Sequence, residues 1–394
     1  MLETLTERLA IYTPGAVTLP ESSPLERRDR DLPAYGTFHG GGQVVERPAP
    51  DTRTLLYDTF RSPDGRKLHA IGPDPRNLRD EMGAPTIAVD GENLPHRARV
   101  EGVMGKRNPK TRLLFMEADL PSHLAARDGL QAEIKWRNFA ATVAVGPAPP
   151  PAPKPLMTLT TIQRDYPLQW IRDWALYHHR VHKVERIVLY DNGSANLEQL
   201  LEGLAELDEG LQVVVVRWPY PFGLSLFRYC QQGALNHCHL RFGATTSYFL
   251  NFDLDEYLAN VTGEPLARHL ERRLRGRVTT LLATQYTVPN LPTAPPAEGP
   301  PRARHFRHRN RTPRWLARLA NTNARLARQL AGERLAWLPI SRRRRVPVSE
   351  LYFNHYKGIN TGWKHLFSQP ANPDPSREEP DPVLPRALEE AGLG

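Results

Sequence analysis

Two patterns of apolar residues divide this chain. Between Thr54 and Val145 they fall in short runs separated by turns, at residues 54–60, 67–71, 86–89, 98–103, 111–116, 132–136 and 140–145. Ser62-Pro63-Asp64-Gly65 and Asp90-Gly91 carry turn residues between them. Short strands at even spacing predict a small all-β, sandwich-like domain over residues 51–146. From Met157 onward the period changes. Strand patterns at 157–162, 186–191, 211–216 and 246–252 alternate with helical patterns at 167–182, 196–207 and 226–240. In the first helix Leu168, Ile171, Trp174, Ala175 and Tyr177 gather largely on one side. Strand and helix alternating at this spacing predict an α/β domain, a mostly parallel sheet with flanking helices.

Between the two patterns, residues 147–155 form a proline-rich linker, which sets the domain boundary. The second domain then spans residues 156–367. Residues 1–50 read as a short leading helix and an irregular lead-in. Strand patterns recur at 278–283, 285–288 and 351–356, with a basic helical stretch at 314–335. Residues 368–394 read as a proline-rich, poorly ordered tail with a short helix near 385–390.

A length of 394 residues exceeds one ordinary domain, and 40% hydrophobic content is enough for a sizeable core. Cys230 and Cys238 are the only two cysteines, which excludes a disulfide framework and a four-cysteine zinc site. Their spacing suits two small apolar positions on one helix. The amphipathic, acid-containing start lacks the character of a signal peptide, and no apolar run reaches the ~18 residues of a membrane helix. The expectation is a cytoplasmic protein. The net charge of +9 is concentrated in residues 302–345, where Glu333 is the only acid. That arginine-rich segment suits nucleic-acid phosphates, peripheral contact with an anionic membrane, an acidic glycan or a diphosphate. The bland alternative is a solvated loop.

Candidate chemistry lies at three strand ends. Residues 248–250 are apolar and lead into Asn251-Phe252-Asp253-Leu254-Asp255-Glu256. Asp253 and Asp255 are two apart and share one face of an extended chain. Like charges held that close need a cation between them, and hard oxygen ligands suit Mg²⁺ or Mn²⁺. The other two ends are Gln163-Arg164-Asp165-Tyr166 and Asp191-Asn192-Gly193-Ser194. A doubly wound sheet brings all three to one rim, where such folds bind ligands. Groups on the first two ends suit a nucleobase and ribose, and the third suits a metal on a diphosphate. For Asp191 the alternative is a helix cap. His178 and His182, four apart, have zinc-ligand spacing but no third partner, so packing is the expectation for them and for Trp170, Trp174 and Tyr177.

These pieces, in order, resemble the family 92 glycosyltransferases, relatives of the large family 2 group. The resemblance rests on residues 170–178, on Ile187-Val188-Leu189-Tyr190-Asp191-Asn192-Gly193-Ser194, on Gln231 with Ala234, Asn236 and Cys238, on residues 252–258, and on Asn354-His355-Tyr356 with Trp363. It implies a GT-A, Rossmann-like fold and a metal-dependent transferase. Its substrates would be a nucleoside-diphosphate sugar and a glycan or other hydroxyl acceptor, and its chemistry an inverting displacement in glycan or polysaccharide synthesis. By the resemblance Asp253, Asp255 and His355 hold the metal. Arg164, Asp165, Asp191, Asn192, Gln231 and Asp253 line the nucleotide-sugar site. Two departures stand out: Arg164-Asp165 replaces Asn-Glu after the first strand, and Val181-His182-Lys183-Val184 lacks the glycine between helix and strand. The general base is not assigned; Glu298, Glu333 and Glu350 qualify by chemistry alone. The rival functions are nucleic-acid binding through the arginine-rich segment and an inactive scaffold.

Overall fold

The computed structural model describes residues 1–28, 38–40, 43–45, 51–102, 112–149, 152–207, 210–221, 229–274, 278–289, 292–293, 296, 298–312, 314–321, 342–359, 361 and 375–394. Its main feature is an eleven-stranded mixed sheet. The centre is parallel. Leu156–Gln163 lies between Arg186–Asp191 and Thr246–Asn251, and Gln212–Arg217 flanks Arg186–Asp191. Beyond Thr246–Asn251 the sheet turns antiparallel through Arg314–Asn321 and Val278–Val288. Leu351–Tyr356 runs parallel to Val278–Val288, and Glu256–Asn260 ends that side antiparallel to Leu351–Tyr356.

Every residue of Leu156–Gln163 and Arg186–Asp191 is buried, as in a parallel sheet covered on both faces. Alternate side chains enter different cores. Met157, Leu159, Ile187, Leu189, Val213 and Val215 meet Trp170, Ile171 and Trp174 of helix Leu168–His182. Ile162, Val188, Tyr190 and Val216 face the other way, toward helix Tyr229–Phe242. Cys230 and Cys238 sit buried on that second helix, both as free thiols.

The N-terminal unit is two four-stranded antiparallel sheets. One runs Glu92–Leu94, Thr86–Val89, Gln131–Trp136, Phe139–Ala144. The other runs His96–Gly102, Arg112–Asp119, Lys67–Pro73, Asp58–Arg61. Ile87, Val89 and Ile134 from the first pack against Leu68, Leu114 and Met116 from the second. The outer face of the second sheet, with Phe60, Ile71, Leu113 and Phe115, joins the core around Tyr190 and Trp218. The two units therefore share a core and are not joined by a linker alone. At the junction the buried Asp58 carboxylate accepts from Tyr12 Oη at 2.7 Å and from His237 Nε2 at 2.8 Å. His237 Nδ1 in turn meets Tyr190 Oη at 2.6 Å.

Four regions depart from the sequence reading. Among the described residues the lead-in has no leading helix: Leu2–Thr4 and Leu9–Tyr12 are strands, and Leu9–Tyr12 extends the main sheet parallel to Gln212–Arg217. The start of the proline-rich stretch is docked, with Gly146 N–H donating to Thr59 O at 2.8 Å. A Cβ on Gly146 would lie 2.0 Å from the Tyr12 hydroxyl, so this close approach requires glycine. Arg314–Asn321 is a strand rather than the start of a basic helix; the rest of that expected helix lies outside the described residues. The end of the tail is packed. Glu378–Pro380 pairs with His308–Asn310, and helix Leu384–Glu390 buries Leu384 and Leu388. Asp381 anchors it, accepting from Tyr352 Oη at 2.9 Å and Asn354 Nδ2 at 2.8 Å.

Candidate active site

The ends of Leu156–Gln163, Arg186–Asp191 and Thr246–Asn251 lie along one edge because these strands are parallel. Gln163 and Asp191 are register partners. Gln163 Nε2 donates to Asp191 Oδ1 at 2.5 Å and to Ser194 Oγ at 3.0 Å. The other Asp191 oxygen accepts from the N–H groups of Gly193 and Ser194, both at 3.1 Å. Asp191 thus folds its own loop, around Gly193 at φ +79°. Asp165 takes the left-handed conformation at φ 54°. Its N–H donates to Ser194 Oγ at 2.9 Å, and its Oδ1 accepts from Ala195 N at 2.7 Å. The Arg164 guanidinium lies 3.5 Å from the Asp165 carboxylate, and both side chains are about half exposed. The first two loops are therefore stitched together, with Arg164 and Asp165 on their open side.

Asn192 points elsewhere. Its buried amide donates to the carbonyls of Trp218 at 2.7 Å and Tyr220 at 2.8 Å, bracing the loop after the next strand. Gln231 is buried in the first turn of helix Tyr229–Phe242. Its neighbour Cys230 is in contact with Asn192 and Trp218.

The third end is different in kind. Phe252 and Leu254 enter the core, and Asp253 and the buried Asp255 stand on the turn that joins Thr246–Asn251 to Glu256–Asn260. Glu256 N–H donates to Asp253 O, and Asp253 N–H to Glu256 Oε2, both at 2.9 Å, closing a tight turn. Oxygens of Asp253, Asp255 and Glu256 all lie within 4.8 Å of one another. Pairing of Glu256–Asn260 with Leu351–Tyr356 sets His355 opposite Glu256. His355 Nε2 reaches Asp255 Oδ2 at 2.9 Å, Gln285 contacts His355 Nδ1 at 2.5 Å, and Lys357 Nζ is 3.4 Å from Nε2. Burial pulls the imidazole toward its neutral form. The Asp255 and Glu256 charges and the Asp255 hydrogen bond outweigh that and hold its pKa above the ordinary value. Tyr166, at the end of the first loop, has its phenol pKa raised, first by burial and then by Asp255, Asp253 and Glu256. The first loop therefore lies within electrostatic reach of the carboxylates.

The donor set fits a divalent cation. It offers clustered carboxylate oxygens and one imidazole, with Lys357 close by. Sequence reasoning placed Asp253, Asp255 and His355, and the fold brings them together. Gln163, Tyr166 and Glu256 stood in the candidate strand ends without a role of their own, and Gln285 and Lys357 were missed. Gln163 had a signal, as a polar residue ending an apolar strand. Gln285 and Lys357 had none without the pairing of Val278–Val288 with Leu351–Tyr356.

Other candidates fall outside the cluster. His178 Nδ1 bonds Trp174 O at 2.9 Å and His182 Nε2 bonds Leu258 O at 2.8 Å, both rings buried in the core with Trp174 and Tyr177. Glu350 is engaged by Arg273 and His269, Glu298 is exposed, and Glu333 lies outside the described residues. In the arginine-rich segment, Arg302 grips Asp173 through two nitrogens at 2.5 Å. Arg309 pairs with Glu379 at 3.1 Å and stacks 3.8 Å from the Tyr286 ring centre. These two arginines serve internal packing. Among the described residues no helix is long and apolar enough to cross a membrane.

The sequence model of glycosyltransferase family 92 matches residues 159–381. The match takes in all three strand ends, the carboxylate cluster, His355 and the anchoring Asp381. No curated protein matches the chain. With more than half its length accounted for in this way, the chain belongs to glycosyltransferase family 92 and is an enzyme whose substrates are a sugar donor and an acceptor.

Proposed function

We propose that this glycosyltransferase has the GT-A arrangement and moves a sugar, with inversion, from a nucleoside diphosphate to a hydroxyl of a glycan or other acceptor. Asp253, Asp255 and Glu256, with His355, would hold Mn²⁺ or Mg²⁺. The observation that carries this reading is the grouping of the three carboxylates within 4.8 Å at the carboxyl edge of a parallel sheet. When bound, the cation supplies Lewis-acid stabilisation of the negative charge that grows on the departing diphosphate.

The chain's own residues supply the rest. Asp165 and Arg164, on the open side of the stitched loops, would bind the nucleoside. Asp191 and Gln163 hold that surface rigid from beneath, which favours a preformed site. Lys357, beside His355, adds a positive charge next to the carboxylates. Gln285 fixes the imidazole ring through its contact at Nδ1.

A thermal-shift screen of nucleoside diphosphates and their sugars, with and without Mn²⁺, tests the proposal. A ligand that binds only the folded state stabilises it by about 2.7 kcal/mol at a hundredfold excess over its Kd. The expected result is a rise in midpoint that needs nucleotide and metal together. Equal shifts with and without metal would remove the cation from the mechanism, and no shift with any nucleotide would remove the donor class.

A further inference from the structure

We propose that the N-terminal β unit holds a second binding site for a small amphipathic anion, an apolar body bearing one carboxylate or phosphate. The site is a cavity of about 270 Å³ where helix Leu78–Met82 faces the strands His96–Gly102 and Arg112–Asp119. It does not involve the carboxylate cluster and does not rest on the metal reading.

Its floor is apolar: Leu55, Leu78, Met82 and Leu114 line it and are buried. Trp136, at the end of Gln131–Trp136 in the facing sheet, is a further wall. Paired sheets normally fill the space between them with interdigitating side chains. Here Gly83, Ala84 and Ala98 stand on the lining, and their small size leaves the gap. The volume falls just under the roughly 300–1,000 Å³ of drug-sized sites, so the occupant is a single ring or a short acyl chain.

The charge at this cavity is one-sided. Arg79, Arg99 and Arg112 line it, and no acidic side chain among the described residues does. Arg99 is paired with Glu101 at 2.8 Å. Arg79 and Arg112 are drawn toward one buried carboxylate, Asp74, at 3.8 Å and 3.7 Å. Those separations exceed a hydrogen bond. Asp74, which also meets Arg76 at 3.5 Å, therefore attracts both guanidinium groups without occupying their donors. Arg112 donates to Val100 O at 3.2 Å, and the Arg79 guanidinium makes no hydrogen bond among the described residues. Two guanidinium groups on one cavity with open donors suit a carboxylate or phosphate, while the apolar floor suits its body.

Isothermal titration of the full chain in EDTA, with phenyl phosphate as probe, tests the site. Inorganic phosphate and benzyl alcohol serve as the charge-only and body-only controls. The expected result is saturable binding of phenyl phosphate at least about tenfold tighter than either control. Combined Arg79→Ala and Arg112→Ala should weaken it about tenfold or more. Ala98→Phe, at an exposed strand position, should fill the cavity and block binding while sugar transfer continues unchanged. Asp253→Asn with Asp255→Asn should leave phenyl phosphate binding intact. Absence of saturable binding, equal binding of inorganic phosphate alone, or binding that survives Ala98→Phe would overturn the proposal.

Discussion

Two groups of acids stand on the same sheet edge and do opposite things. Asp191 is buried, and its carboxylate is saturated by donors from Gln163, Gly193 and Ser194. Asp253, Asp255 and Glu256 crowd together, with His355 and Lys357 beside them. A buried carboxylate with a full set of donors is architecture, since removing it strands those donors. A crowded set of carboxylates is chemistry in waiting, since its repulsion is relieved by binding something positive. Burial alone does not separate the two, because Asp255 is as hidden as Asp191. The identity of the partners does.

The largest effect should come from the crowded group. Asp255→Asn is expected to lower kcat/KM by about a thousandfold, or roughly 4 kcal/mol. Its denaturant midpoint in the absence of metal should stay close to that of the parent. Steady-state assays beside urea titrations would show whether activity and stability separate in this way.

The architectural side should instead respond to acid. Burial holds the pKa of His178 at about 3 and of His182 at about 4; His69 is also held at about 4, chiefly by burial. These rings stay neutral in the fold but take protons in the unfolded chain below about pH 6.5. Stability present above pH 6.5 should therefore drain away as pH falls toward 4, by on the order of 3 kcal/mol for each ring at about 1.4 kcal/mol per unit. Urea midpoints measured from pH 7.5 to 4.5 would follow it, and a flat profile would deny the burial of these rings.

Asp191→Ala gives the sharpest contrast with Asp255→Asn. It leaves the Gln163 amide and two loop N–H groups without their acceptor, at a cost of about 3 kcal/mol. Metal binding should survive wherever the protein remains folded. The smallest effect is expected at Lys183, which caps helix Leu168–His182 at φ 58°, ψ 37° and donates its N–H to His179 O at 2.9 Å. Left-handed backbone disfavours a side chain by about 1 kcal/mol. Lys183→Gly should raise stability by that amount in chemical denaturation and leave activity unchanged.

The same contrast explains what could be read from the chain. The parallel centre was legible because Arg186–Asp191 holds the unbroken run Ile187-Val188-Leu189-Tyr190 and Leu156–Gln163 is rich in β-branched and apolar residues, both followed by polar turns. Asp253 and Asp255 were legible because two acids close together follow an apolar run at the end of a strand. Leu9–Tyr12 was not, because its partner Gln212–Arg217 is distant in sequence and four residues carry little periodicity. Arg314–Asn321 has the leucine, alanine and arginine content of a helix, and its pairing with Val278–Val288 overrides that preference. The bulge between Ala283 and Gln285 explains why Val278–Val288, one strand, reads as two. Lys183 shows that an absent glycine does not mean an absent turn, since lysine adopts the same conformation here.

The central claim is that the crowded acids form a cation site used with a nucleoside diphosphate. Electron paramagnetic resonance of Mn²⁺, titrated into the parent protein and into the Asp253→Asn, Asp255→Asn double variant, tests it most directly. The account predicts bound Mn²⁺ in the parent, strengthened by a nucleoside diphosphate, and its loss in the variant. Equal Mn²⁺ binding by both proteins would contradict it.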